Sequence, residues 1–247
     1  MSVSPLLSTA PTFTTLLTSA TSGSLRERLL ALMADSKRIA DPDYNPCLAD
    51  AWLDRMRKRW QALQKPNSSL VSESARSEDD PTHEQPLTDW LIELFNTVFA
   101  AQNTVLVRGD YEPEYFPATL EAPAQIVFAH GFFASALHEL SHWCIAGKHR
   151  RTLADYGYWY AADGRDEAQQ HAFEQVEIKP QAVECLLTLA CQRPFRVSQD
   201  NLFADFDTSQ STFPQDVYKQ AQHYIEQPAT LPRDAQQLLA VLLTVCR

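Results

Sequence analysis

The most informative part of the sequence is QIVFAHGFFASALHELSHWCIAG, residues 125–147. It opens with an apolar, partly β-branched run at residues 125–130, which is typical of a buried strand. The apolar segment at residues 132–146 predicts a buried helix, and Gly147 supplies a residue that readily ends one. We therefore expect a strand that leads directly into an interior helix.

The same periodicity rules predict further elements on both sides of this stretch. Apolar spacing and flanking turn residues indicate one more strand, at residues 104–107, and helices at residues 25–39, 46–64, 87–101, 166–191, 214–227 and 232–245. Pro180 predicts a kink or break in the long helix at residues 166–191. The predicted fold class is α+β, a small sheet packed with helices.

A change of composition between Lys65 and Pro86 predicts a linker, because Ser, Glu, Asp and Pro replace apolar residues there. The expected division is an N-terminal extension at residues 1–85 and a second domain at residues 86–247. The extension comprises a Ser/Thr-rich leader at residues 1–23, expected to be poorly ordered, then a helical hairpin and the linker. The second hairpin helix has a basic face that is either solvated or a docking surface for an acidic partner, comprising Arg55, Arg57, Lys58 and Arg59.

Composition excludes several classes of function. The 247 residues carry a net charge of −10, which argues against a duplex nucleic acid as ligand. Six scattered glycines exclude both common phosphate-binding loops. No apolar run has the length of a membrane span, and the uncharged N-terminus lacks a signal sequence, so we expect a cytoplasmic protein. Residues 66–247 carry −13 of the charge, which favours a cationic ligand.

The predicted interior helix contains the motif His138-Glu139-Leu140-Ser141-His142. Residues i and i+4 share one helix face, so two imidazoles at this spacing can bind one divalent ion. The adjacent Glu139 can then reach a metal-bound water. The alternative is that each histidine bonds to backbone in the core. His130, at the end of the preceding strand, is a candidate for orienting a ligand.

A third ligand is expected downstream, where three glutamates follow one face of the long helix. Glu177 is preferred because it is central in the row, ahead of Glu174 and Glu184, although a solvated face is an alternative. Two histidines and one carboxylate suit zinc or Fe(II), and the spacing does not decide between them. The motif alone favours a zinc-dependent hydrolase, a peptidase or nuclease with Glu139 as general base. A metal-stabilised binding module is a third, non-enzymatic interpretation.

Four ordered blocks between residues 126 and 202 closely resemble the elongation factor P hydroxylase family of bacteria. They read IVFAHGFFASALHELSHWCIAGKHRR, DYGYWYAADGRD, FEQVEIKPQAVE and FRVSQDNL. Four blocks of this length are far more specific than the five-residue metal motif. The resemblance weakens towards residue 87, and residues before about 85 lie outside it.

The resemblance implies an oxidoreductase, a monooxygenase of the non-haem iron type, that modifies a translation factor after its synthesis. Its substrate would be the β-lysylated lysine of elongation factor P, and dioxygen would be the cosubstrate. Carried onto this chain, the 2-His-1-carboxylate ligands of Fe(II) are His138, His142 and the carboxylate for which Glu177 is preferred. Glu139 would be catalytic, as an orienting group or a proton carrier. The implied fold is similar to that of small metal-dependent endoribonucleases. No arginine for 2-oxoglutarate is evident, so that cosubstrate stays open.

Overall fold

A computed structural model describes residues 11–35, 48–65, 84–157, 164–201, 205–207 and 211–247. These ranges contain seven α-helices and three strands, in agreement with the predicted α+β class. In chain order the elements are α1 (Ser19–Met33), α2 (Asp50–Leu63), α3 (Gln85–Val98), β1 (Thr104–Arg108), β2 (Glu114–Phe116), β3 (Ala124–Phe128), α4 (Phe133–Arg150), α5 (Glu167–Ala190), α6 (Phe213–Glu226) and α7 (Arg233–Val245).

The three strands form one sheet in the order β1-β3-β2. β1 runs parallel to β3 with Leu106 opposite Ile126, whereas β2 is antiparallel to β3. Alternate residues of β3 are buried, as expected for a strand with one face on the core. β2 was not predicted, because its three residues lie among prolines and acids and only Tyr115 points inward. The sheet positions the N-terminus of α4, which starts five residues after β3 ends.

Large aromatic side chains join the N-terminal helices to the rest of the core. The rings of Trp60 in α2 and Trp90 in α3 are 4.6 Å apart between centroids, and Phe133 of α4 lies 6.1 Å from Trp60. The Trp90 indole donates a hydrogen bond to the Met56 carbonyl at 3.0 Å. α1 and α2 thus share a hydrophobic core with the helices that follow. The division at residue 85 stays a prediction.

The basic face of α2 makes contacts within the chain. Arg55 and Arg59 both form ion pairs with Glu93 of α3. Arg57 donates to the Thr244 carbonyl of α7 at 3.2 Å. Three of the four basic residues therefore fasten α2 to its neighbours, which favours a structural role over docking of an acidic partner.

The prediction of a poorly ordered leader is wrong for residues 11–23, while residues 1–10 lie outside the described ranges. α1 begins at Ser19, where the Thr18 hydroxyl accepts a hydrogen bond from the Thr21 amide at 3.3 Å. Before it, the ring of Phe13 packs edge-on against Phe195 at 5.0 Å. A threonine N-cap and a few buried apolar residues order a segment whose composition suggested otherwise.

Gly147 and Pro180 are the residues expected to end or interrupt the helices α4 and α5. Gly147 has a φ of +66°, which glycine adopts readily, and it interrupts α4 where the sequence predicted its end. α5 continues from Glu167 to Ala190 with Pro180 inside it, so the helix does not break there, and the alternative of a kink at Pro180 stays a prediction. Among the described residues no helix is long and apolar enough to cross a membrane.

We expect Asp166→Ala to destabilise the protein by about 1 kcal/mol, because Asp166 caps α5. Its carboxylate accepts from the Gln169 amide at 2.8 Å, and the Gln169 side chain accepts from the Asp166 amide at 3.1 Å. Chemical denaturation of this variant and of the exposed neighbour variant Glu167→Ala measures the effect. Equal unfolding free energies for the two would contradict it.

Candidate metal centre

Two neighbouring helices carry the candidate metal ligands. α4 presents His138 and His142 one turn apart, and α5 presents Glu177 opposite them. Both helices are mostly buried at this point, so the side chains face each other across a packed interface. His142 is 8% exposed and Glu177 is 1% exposed, whereas the His138 side chain keeps 30% of its surface accessible. The site is an interior cluster with access from one side.

The donor atoms of these three residues converge. One ligand atom of each lies within 4.8 Å of the others. The two Nε2 atoms of His138 and His142 are 3.0 Å apart. Glu177 Oε1 lies 3.4 Å from His142 Nε2, and Glu177 Oε2 lies 3.9 Å from His138 Nε2. Such separations suit three ligands of one ion bound about 2.0–2.2 Å from each. The group could hold a metal ion.

The hydrogen-bonding state of the cluster also fits a cation. Glu177 Oε2 is buried and makes no hydrogen bond to any described residue. An orphaned buried carboxylate oxygen costs free energy unless a partner satisfies it. The two facing imidazole nitrogens can share one proton at most, whereas a cation would use the lone pair of each. Residues and geometry therefore fit a divalent ion.

Glu184 contacts the opposite side of His138 from the cluster. Its Oε2 atom lies 2.8 Å from His138 Nδ1, so the ring donates this proton and turns Nε2 towards Glu177. A carboxylate behind a metal-binding histidine fixes the tautomer and makes the ring a better ligand. The sequence identified Glu184 only as an alternative third ligand; the structure gives it this orienting position.

Glu174 belongs to a separate polar network, one turn before Glu177 on α5. Its carboxylate accepts hydrogen bonds from Ser211 at 2.7 Å and from Gln170 at 3.3 Å. It borders a cavity of about 260 Å³ between α5 and the start of α6. Of the three glutamates in the row, only Glu177 belongs to the cluster with both histidines among the described residues.

Burial and charge shift the pKa values of the motif in the absence of a metal. Burial lowers the pKa of His138, but the hydrogen bond and charge of Glu184 outweigh it and raise the value to about 10. Burial and the neighbouring His138 charge lower the pKa of His142 well below its usual range. Burial raises the pKa of Glu139 to about 7, although the His138 charge opposes this shift. One histidine is therefore cationic and the other neutral when no ion is bound.

We expect Glu139→Gln to flatten part of the pH dependence of stability in the metal-free protein. The folded pKa of Glu139, about 7, exceeds its usual value of 4.5, so the folded state holds this proton more tightly than the unfolded state. Stability from this group is complete below pH 4.5 and is lost as the pH rises to 7, by about 1–3 kcal/mol. Unfolding free energies of wild type and variant should diverge across this window. Parallel curves would show that the pKa of Glu139 is not raised in the folded protein.

Other predicted candidates play other parts. His130 lies 6.4 Å from the Phe132 ring between centroids, and its proposed orienting role stays a prediction. Cys144 is a buried free thiol. Arg151, the C-cap residue of α4, donates a side-chain hydrogen bond to the Trp143 carbonyl at 2.8 Å. Tyr156, which no sequence pattern singles out, stacks on Tyr115 with 4.2 Å between ring centroids. Its buried hydroxyl makes no hydrogen bond to the described residues.

Comparison with known proteins identifies the family. The sequence model of the elongation factor P hydroxylase family matches residues 94–246, which include every residue of the candidate metal centre. The Elongation factor P lysine hydroxylase of Haemophilus influenzae is 46% identical over 155 residues, which make up 62% of this chain and 85% of that protein. With a match over more than half of its length, the chain belongs to the elongation factor P hydroxylase family.

Proposed function

We propose that this protein hydroxylates a lysine of elongation factor P, and that the reaction uses Fe(II) and dioxygen. The family match and the similar Haemophilus protein support the reaction and the substrate. The convergence of His138, His142 and Glu177 is the observation that supports the metal. We further propose that the target lysine already carries a β-lysyl group, because its long cationic side chain suits the acidic region after residue 65.

The proposed metal ligands are His138, His142 and Glu177. Two neutral nitrogens and one carboxylate form the donor set of non-haem Fe(II) oxygenases, which leave coordination positions open. Fe(II), when bound, supplies the activation of dioxygen that inserts an oxygen atom into a carbon–hydrogen bond. The Oε2 atom of Glu184 lies 2.8 Å from His138 Nδ1. This hydrogen bond holds the ring in the tautomer that presents Nε2 to the ion.

Glu139 is the residue that we propose to act on protons or on the substrate amine. It directly follows the proposed ligand His138 in α4, and its side chain is partly accessible to solvent. In the metal-free protein its pKa is raised to about 7, first by burial, which places proton exchange near neutral pH. In its ionised form it offers a carboxylate to the cationic end of the substrate.

Intact-mass measurement on lysylated elongation factor P tests the proposal. Metal-free protein is reconstituted with Fe(II) or with Zn(II) and incubated with the factor in air, with ascorbate as reductant. We expect a product one oxygen atom heavier with Fe(II), and none with Zn(II) or without air. Unlysylated factor provides the substrate control.

The zinc hydrolase alternative gives a different result in the same experiment. Cleaved products with Zn(II), and their loss in Glu139→Gln, would replace the proposal with hydrolysis. Binding of the factor without any product under either metal would support a metal-stabilised binding module instead.

We propose a cytoplasmic location, because the proposed substrate acts in translation. We also propose that the fold is similar to that of small metal-dependent endoribonucleases.

A further inference from the structure

The connection around β2 exposes large apolar side chains to solvent. Six large hydrophobic residues are exposed in the described part of the chain, and three of them fall within ten residues here. Tyr111 is 82% exposed, Leu120 is fully exposed, and Phe116 is 43% exposed. Single exposed apolar residues are ordinary, whereas three within ten residues concentrate exposed apolar area on this connection.

The same connection is strongly acidic. Residues 109–123 contain four carboxylates, Asp110, Glu112, Glu114 and Glu121, and neither Lys nor Arg. All four are exposed, and within the described ranges none of them forms an ion pair. By contrast, Arg55 and Arg59 of the basic face on α2 are paired with Glu93. Residues 110–121, called the acidic segment below, therefore present uncompensated negative charge.

The acidic segment is fixed to the end of the metal-binding helix. The backbone amide of Tyr115 donates to Asp155 at 2.9 Å, and its hydroxyl donates to the Arg151 carbonyl, at the C-cap of α4, at 2.8 Å. The Tyr115 ring stacks on Tyr156. A partner bound to the segment would thus be held beside α4, in a fixed relation to its histidines.

Strained backbone lies at the contact between β2 and the end of α4. Asp155 and Tyr156 have φ values of +44° and +57°, and Gly157 follows with +68°. Non-glycine residues in this region cost about 1–3 kcal/mol each and persist where surrounding contacts hold them. Here the Arg150 side chain donates to the Tyr156 carbonyl at 2.9 Å, and the Asp155 carboxylate accepts from β2. The link between segment and helix is thus maintained against a local cost.

We propose that the acidic segment is a docking surface for the lysine-bearing region of the protein substrate. This inference rests on the proposed function for the identity of the partner. The negative charge of the acidic segment complements the positive charge of the substrate's lysine. The three exposed apolar side chains of the segment supply contact area. Docking there would position the lysine-bearing region beside α4 independently of the reacting side chain.

Two double variants test the charge and the apolar contacts separately. Glu112→Lys with Glu121→Lys reverses charge, and Tyr111→Ser with Leu120→Ser removes exposed apolar surface. The matched control, Glu27→Lys with Leu30→Ser, changes exposed residues of α1, which packs against α7. Calorimetry measures the Kd of lysylated elongation factor P for the metal-free proteins at low and high salt. Turnover gives KM and kcat for the whole factor and for a short peptide around its lysine.

We expect the charge variant to raise Kd about tenfold at low salt, and less at high salt because exposed charges are screened. The apolar variant should raise Kd roughly tenfold at both salt concentrations. KM should rise for the whole factor but not for the peptide, while kcat stays unchanged. If neither variant alters Kd more than the control does, the docking surface is wrong. Failure of the wild type to make product would instead overturn the proposed function, and the Kd comparison would still decide the docking surface.

Discussion

Glu177→Gln should lower the affinity of the protein for Fe(II) by at least about a hundredfold, since even the loss of an outer hydrogen bond to a ligand costs 10–100-fold. Among the described residues, Glu177 is the carboxylate that faces both imidazoles, with Oε1 at 3.4 Å from His142 Nε2 and Oε2 at 3.9 Å from His138 Nε2. An amide has nearly the same shape but no charge to offset that of a cation. Anaerobic titration with Fe(II) measures the affinity, and hydroxylation should fall in parallel.

The same substitution should stabilise the metal-free protein. Glu177 is 1% exposed, and one of its oxygens has no hydrogen bond within the described ranges. Replacing an unsatisfied buried carboxylate with a neutral amide should raise the unfolding free energy by about 1–3 kcal/mol. A residue that lowers stability while it improves ligand binding is retained for binding. Lower stability together with unchanged metal affinity would show that Glu177 is only a structural partner of the histidines.

The convergence of the three candidate ligands could be predicted from the sequence, while their binding of a metal stays a prediction. The helix that bears His138 and His142 follows from a long apolar pattern, and the i, i+4 spacing fixes both rings on one face. Glu177 was preferred for its central place in a row of acids, and it lies against both rings. Local periodicity carried this information, because each helix alone decides which of its residues share a face.

The different contacts that the three glutamates make could not be predicted from the sequence. Glu174, Glu177 and Glu184 lie on the same helix, and their spacing does not reveal how α5 is placed along α4. Only tertiary packing puts Glu184 behind His138 and turns Glu174 to Ser211 and Gln170. β2 was missed for a related reason, since its three residues are held by β3 and by Asp155 rather than by any local pattern.

Glu184→Ala should reduce the affinity for Fe(II) by about 10–100-fold without removing any ligand. In the wild type, the hydrogen bond of 2.8 Å holds a proton on Nδ1, so Nε2, which faces Glu177, is the nitrogen that gives up its proton when an ion binds. Without the carboxylate the ring is free to rotate or to change tautomer. Glu184→Gln keeps an acceptor oxygen and should lose less affinity than the alanine variant. We expect the Fe(II) affinity to decrease in the order wild type, Glu184→Gln, Glu184→Ala. This order would indicate that Glu184 orients the His138 ring.

Glu174→Gln is the matched control, because it changes a buried carboxylate of the same helix that lies in a different hydrogen-bonding network. It should bind Fe(II) as tightly as the wild type. Metal affinities equal to that of the wild type in both Glu184 variants would mean that the contact with His138 is incidental. A loss in Glu184→Gln as large as in Glu177→Gln would mean instead that Glu184 is itself a ligand, since an orienting acceptor tolerates an amide and a charged metal ligand does not.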